Sequence, residues 1–112
     1  MRTFRSLRYL VAAALAGAAA TSLAAPDGKA IYSATCVACH GADGKGTLPG
    51  VPDLTKASGP MKAGDELILK RIRDGYQSPG SPMAMPAKGG NPSLTDGDLK
   101  AVIIYMRKSL VR

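Results

Sequence analysis

The residues best able to do chemistry are crowded into one short stretch of this 112-residue chain, T-C-V-A-C-H-G from Thr35 to Gly41. Cys36 and Cys39 are its two cysteines and His40 its one histidine. On a helix, side chains three and four residues apart share a face. With Cys36 in the last turn of a helix, the two sulfurs and the imidazole therefore stand together. A planar group laid against that face is held at two edges by sulfur and at its centre by nitrogen.

C-x-x-C-H is the attachment signature of c-type haem, in which the thiols add across the two vinyl groups and the imidazole binds the iron. Three other readings compete. A plain disulfide suits paired thiols in an oxidising compartment. A thioredoxin-like redox site calls for a βαβ setting, and the chain offers helices and loops instead. Structural zinc takes four ligands, and with no further Cys or His a carboxylate would have to complete the set. Haem attachment is the reading adopted, because the chain carries the marks of export and its one histidine follows the second cysteine.

A haem iron held by His40 has a sixth position, and the chain offers S-P-M-A-M-P from Ser81 to Pro86. Met83 and Met85 are two apart, so in an extended segment both point to one side. Pro86 restricts Met85 to an extended backbone. A methionine in a Pro-rich loop has little helix face to fill, which sets it apart from the usual core-filling role.

The elements that must position these groups are readable from periodicity and breakers. A first helix is expected over Asp27 to His40, with Ala30, Ile31, Ala34 and Val37 as its apolar positions and Gly41 as its stop. A Gly- and Pro-rich loop follows, from Gly41 to Pro60. A second helix is expected from about Gly64 to Asp74, acidic in its first turn and basic in its last, with Leu67, Ile68 and Ile72 as its buried face. Gly75 to Pro92 holds four prolines and cannot form a long regular element, and a loop of that length usually has a function. Thr95 then caps a third helix, Asp98 completes a capping box, and Leu99, Val102, Ile103, Met106 and Leu110 recur on one face.

Residues 1–24 read as a secretory signal peptide: Arg2, Arg5 and Arg8, an apolar run from Leu10 to Ala20, then Ser22-Leu23-Ala24 for a peptidase. The run is mostly alanine and is interrupted by Thr21 and Ser22, which argues against a retained membrane anchor. The expected mature domain, residues 25–112, lies outside the cytoplasm, in a bacterial periplasm, with no stable membrane insertion. The signal holds three of the fifteen basic residues and none of the eight acidic ones, which leaves 12 against 8, a net +4. The mature domain also lacks Phe and Trp and keeps only Tyr32, Tyr76 and Tyr105. A chain this short buries a small share of its surface and commonly needs a disulfide, a metal or a cofactor. Its lysines are scattered (Lys29, Lys45, Lys56, Lys62, Lys70, Lys88), with no dense basic run interleaved with aromatics, so nucleic acid is not the expected partner.

Across nearly all of the mature domain the sequence resembles the class I c-type cytochromes, of the short monohaem bacterial sort. The resemblance rests on G-K-A-I-Y-S-A-T-C-V-A-C-H, G-V-P-D-L, M-P-A-K-G-G and L-K-A-V-I-I-Y-M. It implies an all-α fold of three main helices and long loops wrapped around one haem c, bound covalently through Cys36 and Cys39. It implies His40 and Met85 as the iron ligands, and Pro52 as the residue whose carbonyl accepts the proximal imidazole N–H, with Pro49 as the other candidate. It also implies close packing of the first helix on the last at Gly28 and Tyr105, with Tyr32 beside them. A His/Met iron has no open position for substrate, so the implied activity is one-electron transfer to redox partners with acidic docking surfaces, and not enzymatic catalysis. The alternative role is that of a dedicated cytochrome subunit in a larger periplasmic dehydrogenase or oxidase. A haem sensor needs a displaceable Met85 bond, and a peroxidase is disfavoured by the single haem motif and the want of a further histidine.

Overall fold

The computed structural model describes residues 12–18 and 24–112. The proposed signal segment lies mostly outside the described residues. Four α-helices order the domain: α1 (Gly28–Thr35), α2 (Val37–His40), α3 (Asp65–Asp74) and α4 (Asp96–Ser109), with 3-10 turns at Pro60–Lys62 and Ala87–Gly90. Among the described residues there is no β-strand, and the one β-bridge joins Tyr76 to Met85.

The first helix starts where Asp27 accepts from the Ala30 N–H at 3.1 Å, a side-chain N-cap. The single helix expected through His40 is divided at Cys36, whose φ of −105° and ψ of −28° stay in the right-handed helical region but away from the ideal helix. Its backbone hydrogen bonding continues across the joint, from the Cys36 N–H to the Tyr32 carbonyl at 2.8 Å and from the His40 N–H to the Cys36 carbonyl at 2.9 Å. Cys36 therefore acts as a kink that re-aims the C-x-x-C-H turn without detaching it.

Helix α4 carries the capping box expected from its sequence: the Asp98 N–H donates to Thr95 Oγ1 at 3.1 Å and the Thr95 N–H to Asp98 Oδ2 at 2.9 Å. Leu99, Val102, Ile103 and Met106 are buried on one face, and Leu110 just beyond its end is buried with them. Helices α1 and α4 cross at Gly28. A Cβ there would lie 2.0 Å from the Ala101 carbonyl oxygen and 3.1 Å from Tyr105 Cβ, so only glycine permits this approach. Beside the crossing, the Tyr32 and Tyr105 rings pack at 5.4 Å between centroids, tilted by 52°.

Helix α3 corrects one expectation. Its buried side chains are Ile68, Leu69 and Ile72, whereas Leu67 is 44% exposed. With about 100° between successive residues, Ile68, Leu69 and Ile72 fall within one arc of about 100°, and Leu67 lies well outside it. Arg107 of α4 ties this helix to the rest: Nε donates to Asp65 Oδ1 at 2.6 Å, and the two terminal nitrogens donate to the Met61 and Ala63 carbonyls at 3.0 and 2.8 Å. The C-terminus is anchored by the Arg112 N–H donating to the Thr55 carbonyl at 2.8 Å.

Candidate haem site

The loop after α2 folds back on the carbonyls that a short helix leaves without partners. The Gly46 N–H donates to the His40 carbonyl at 2.8 Å, the Thr47 N–H to that of Cys39 at 2.9 Å, and the Thr47 hydroxyl to that of Ala38 at 2.7 Å. Gly41 takes a positive φ of 79° as the chain turns, and its carbonyl accepts the Tyr32 hydroxyl at 2.7 Å. A turn of only four residues is thus held rigid from both ends.

That turn forms one wall of a cleft of about 280 Å³. Cys36, Cys39 and His40 line it, and the core side chains Leu54, Met61, Ile68, Ile72, Leu99, Val102 and Met106 close its back. The segment carrying Met83 and Met85 lines the same cleft. Met85 is fixed at the backbone by both bonds of its bridge to Tyr76, at 2.8 and 3.1 Å, and is half-buried against the core. Met83 is 40% exposed. Pro52 lines the cleft too.

The structure therefore brings Cys36, Cys39, His40, Pro52, Met83 and Met85 around one cavity, although up to 49 residues separate them in the sequence. One expected contact is not formed. His40 Nδ1 is buried and makes no hydrogen bond, so the Pro52 carbonyl does not receive it here.

The electrostatics agree with a bound group. Burial lowers the pKa of His40, which keeps the imidazole neutral with a lone pair free for a metal. Burial, and then the neighbouring Cys39, push the Cys36 thiol up to about 11, so it is a protonated thiol at neutral pH. The two sulfurs are free of each other, not joined as a disulfide, and no cluster of three or more His, Cys, Asp or Glu suited to a metal occurs among the described residues.

One residue escaped the sequence reading. Arg71, near the end of α3, lines the cleft and stacks on the Tyr76 ring at 4.2 Å, and its Nε is buried without a partner. A buried donor without an acceptor is costly, and haem carries two carboxylate arms. The apolar cleft, the paired sulfurs, the neutral imidazole and this orphaned guanidinium all fit haem.

A helical fold closed around an apolar cleft, lined by C-x-x-C-H and by a methionine segment, defines a class I c-type cytochrome. Comparison with known proteins narrows this. The chain belongs to the family described as cytochrome C oxidase, cbb3-type, subunit III, whose profile matches residues 23–106. It is similar to cytochrome c-555 of Chlorobaculum tepidum, 36% identical over 106 residues that cover 95% of each chain. Among solved structures it is similar to the KustC0563 c-type cytochrome, with a TM-score of 0.57 and 32% identity over 73% of this chain and 95% of that one. It is also 35% identical over 87 residues to lupanine 17-hydroxylase [cytochrome c] of a Pseudomonas species, covering 77% of this chain but 11% of that protein. The protein is thus an electron carrier with covalently bound haem c, and its partners are redox proteins.

Proposed function

We propose that the protein is a periplasmic one-electron carrier whose haem is held between His40 and Met85, with residues 1–24 removed on export. The observation that carries this reading is a shared cleft: His40, half-buried and with its pKa lowered by burial, lines it from α2, and Met85, pinned by two backbone bonds to Tyr76, lines it as well. Bound there, the haem supplies a reversible Fe(III)/Fe(II) couple, whose potential a thioether opposite an imidazole raises.

The chain's own part is to hold and shield. Cys36 and Cys39 fix the macrocycle by thioether bonds, the apolar back wall excludes water, and Arg71 stands ready for a carboxylate arm. This reading assigns the carbonyl of Pro52, which also lines the cleft, as the acceptor for His40 Nδ1. Such a bond orients the ring and raises its basicity.

A second reading is supported by the family description, which names an oxidase subunit, and by the match to a small part of a much longer hydroxylase. In it the chain passes electrons inside one complex. Co-purification with a large subunit separates the two.

The deciding experiment is the mass and optical spectrum of protein recovered from the periplasm. We expect the mass of residues 25–112 plus one haem, and the long-wavelength absorption of a thioether bound to Fe(III). A colourless product with Cys36 and Cys39 joined as a disulfide overturns the proposal. Rapid binding of carbon monoxide by the reduced protein overturns the Met85 assignment.

A further inference from the structure

The segment from Ser81 to Pro86 presents two thioethers to the cavity that His40 lines, and the proposed function uses one. Met83 and Met85 both line the cleft, with one residue between them, Met83 in a bend and Met85 in the bridge that follows it. Their anchoring differs. Met85 is held by the two backbone bonds to Tyr76, so replacing its side chain leaves the course of the backbone fixed. Met83 sits on a strap fastened by the Ser81 hydroxyl, which donates to the Met83 carbonyl at 2.9 Å and to the Gly50 carbonyl at 3.2 Å. The strap begins at Gly80, which has a positive φ of 78° and nothing within 4 Å of where a Cβ would stand. A methionine with three rotatable bonds, two residues before Met85 and lining the same cleft, can swing its sulfur toward its neighbour's place without moving the strap.

We infer that Met83 is a reserve distal ligand, occupying the iron's sixth position whenever Met85 cannot. The inference rests on the His40/Met85 reading above. The exchange breaks one iron–sulfur bond and makes another between neutral thioethers, so neither proton nor electron count changes. Burial and the Tyr76 bridge favour Met85 in the native protein, and the exposure of Met83 keeps it in waiting.

The test uses covalently loaded holoprotein and reads the thioether-to-iron band together with carbon monoxide affinity. Wild type and Met83→Ala should both show the band. Met85→Ala should keep it, and Met83→Ala/Met85→Ala should lose it. With Met83 bound about nine-tenths of the time in Met85→Ala, its carbon monoxide affinity should be about tenfold weaker than that of the double variant. Met85→Leu, which preserves volume, repeats the comparison if the alanine variant does not fold.

A Met85→Ala or Met85→Leu protein without the band, binding carbon monoxide as tightly as the double variant, overturns the inference and leaves the His40/Met85 reading intact. Loss of the band in Met83→Ala alone also overturns it, by making Met83 the principal ligand. A wild type without the band defeats the parent reading instead.

Discussion

Tyr32 shows how much one side chain contributes to this site. It is 1% exposed, and its hydroxyl donates to the carbonyl of Gly41, the residue that ends the C-x-x-C-H turn. Burial pushes its phenol up to about 12, with smaller contributions from Cys36, Tyr105 and Asp43. A pKa raised on folding means stability that is full below the unfolded value near 10 and is lost as pH climbs through about 12. Two units correspond to about 3 kcal/mol at most. Tyr32→Phe should cost about 1 kcal/mol at neutral pH, a fall in Tm of about 4–8 °C, and should lose less stability than wild type between pH 10 and 12. Melting curves of both holoproteins at pH 7 and pH 11.5 check this, and equal alkaline losses would contradict it. At this scale the sequence is legible wherever chemistry resides in residue type: Cys36, Cys39 and His40 announce themselves by spacing. Arg71 does not, because its importance comes from where the end of α3 meets the cleft, and it reads in sequence as an ordinary basic residue in a last helical turn. A main-chain acceptor such as the Pro52 carbonyl has no signature at all, and here His40 Nδ1 goes without one.

Among the elements, α1 and α4 set the frame, and their crossing depends on one absent methyl group. Gly28→Ala places a Cβ 2.0 Å from a backbone oxygen, which no side-chain rotation relieves. The helices must separate, at the 1–3 kcal/mol or more that is typical of overpacking. A melt of the holoprotein should show that loss, and an unchanged Tm would mean the crossing is looser than described. Thr95→Ala, by contrast, removes one cap bond and should cost only about 1 kcal/mol. The α4 face and its capping box were readable because every signal agreed: cap residue, capping partner and apolar period. Helix α3 was misread at Leu67 because Leu67, Ile68 and Leu69 are consecutive and apolar, and a run of three covers more than half a helix's circumference. Seeking the narrowest arc would have selected Ile68, Leu69 and Ile72. The kink at Cys36 had no such signal, since the backbone hydrogen bonds run on through it and no proline or glycine marks it.

For the whole molecule, the decisive quantity is how little interior the polypeptide supplies by itself. Among the described residues eleven apolar side chains are buried, with Tyr32 the one aromatic among them, and most of them line a cleft of about 280 Å³. The haem is therefore structural as well as functional: its covalent attachment makes the core complete, and the gain cannot be lost by dissociation. The same economy suits thioether bonds, since a cofactor that completes the core of so short a domain must not exchange with the medium. The Cys36→Ala/Cys39→Ala double variant tests this directly. It should fail to accumulate as a haem protein, and any polypeptide recovered should melt without a cooperative transition and with reduced helical circular dichroism. Normal yields of covalent holoprotein from that variant would defeat the attachment chemistry. A sharp, native-like melt of the haem-free chain would show instead that α1, α3 and α4 close upon themselves without a cofactor between them.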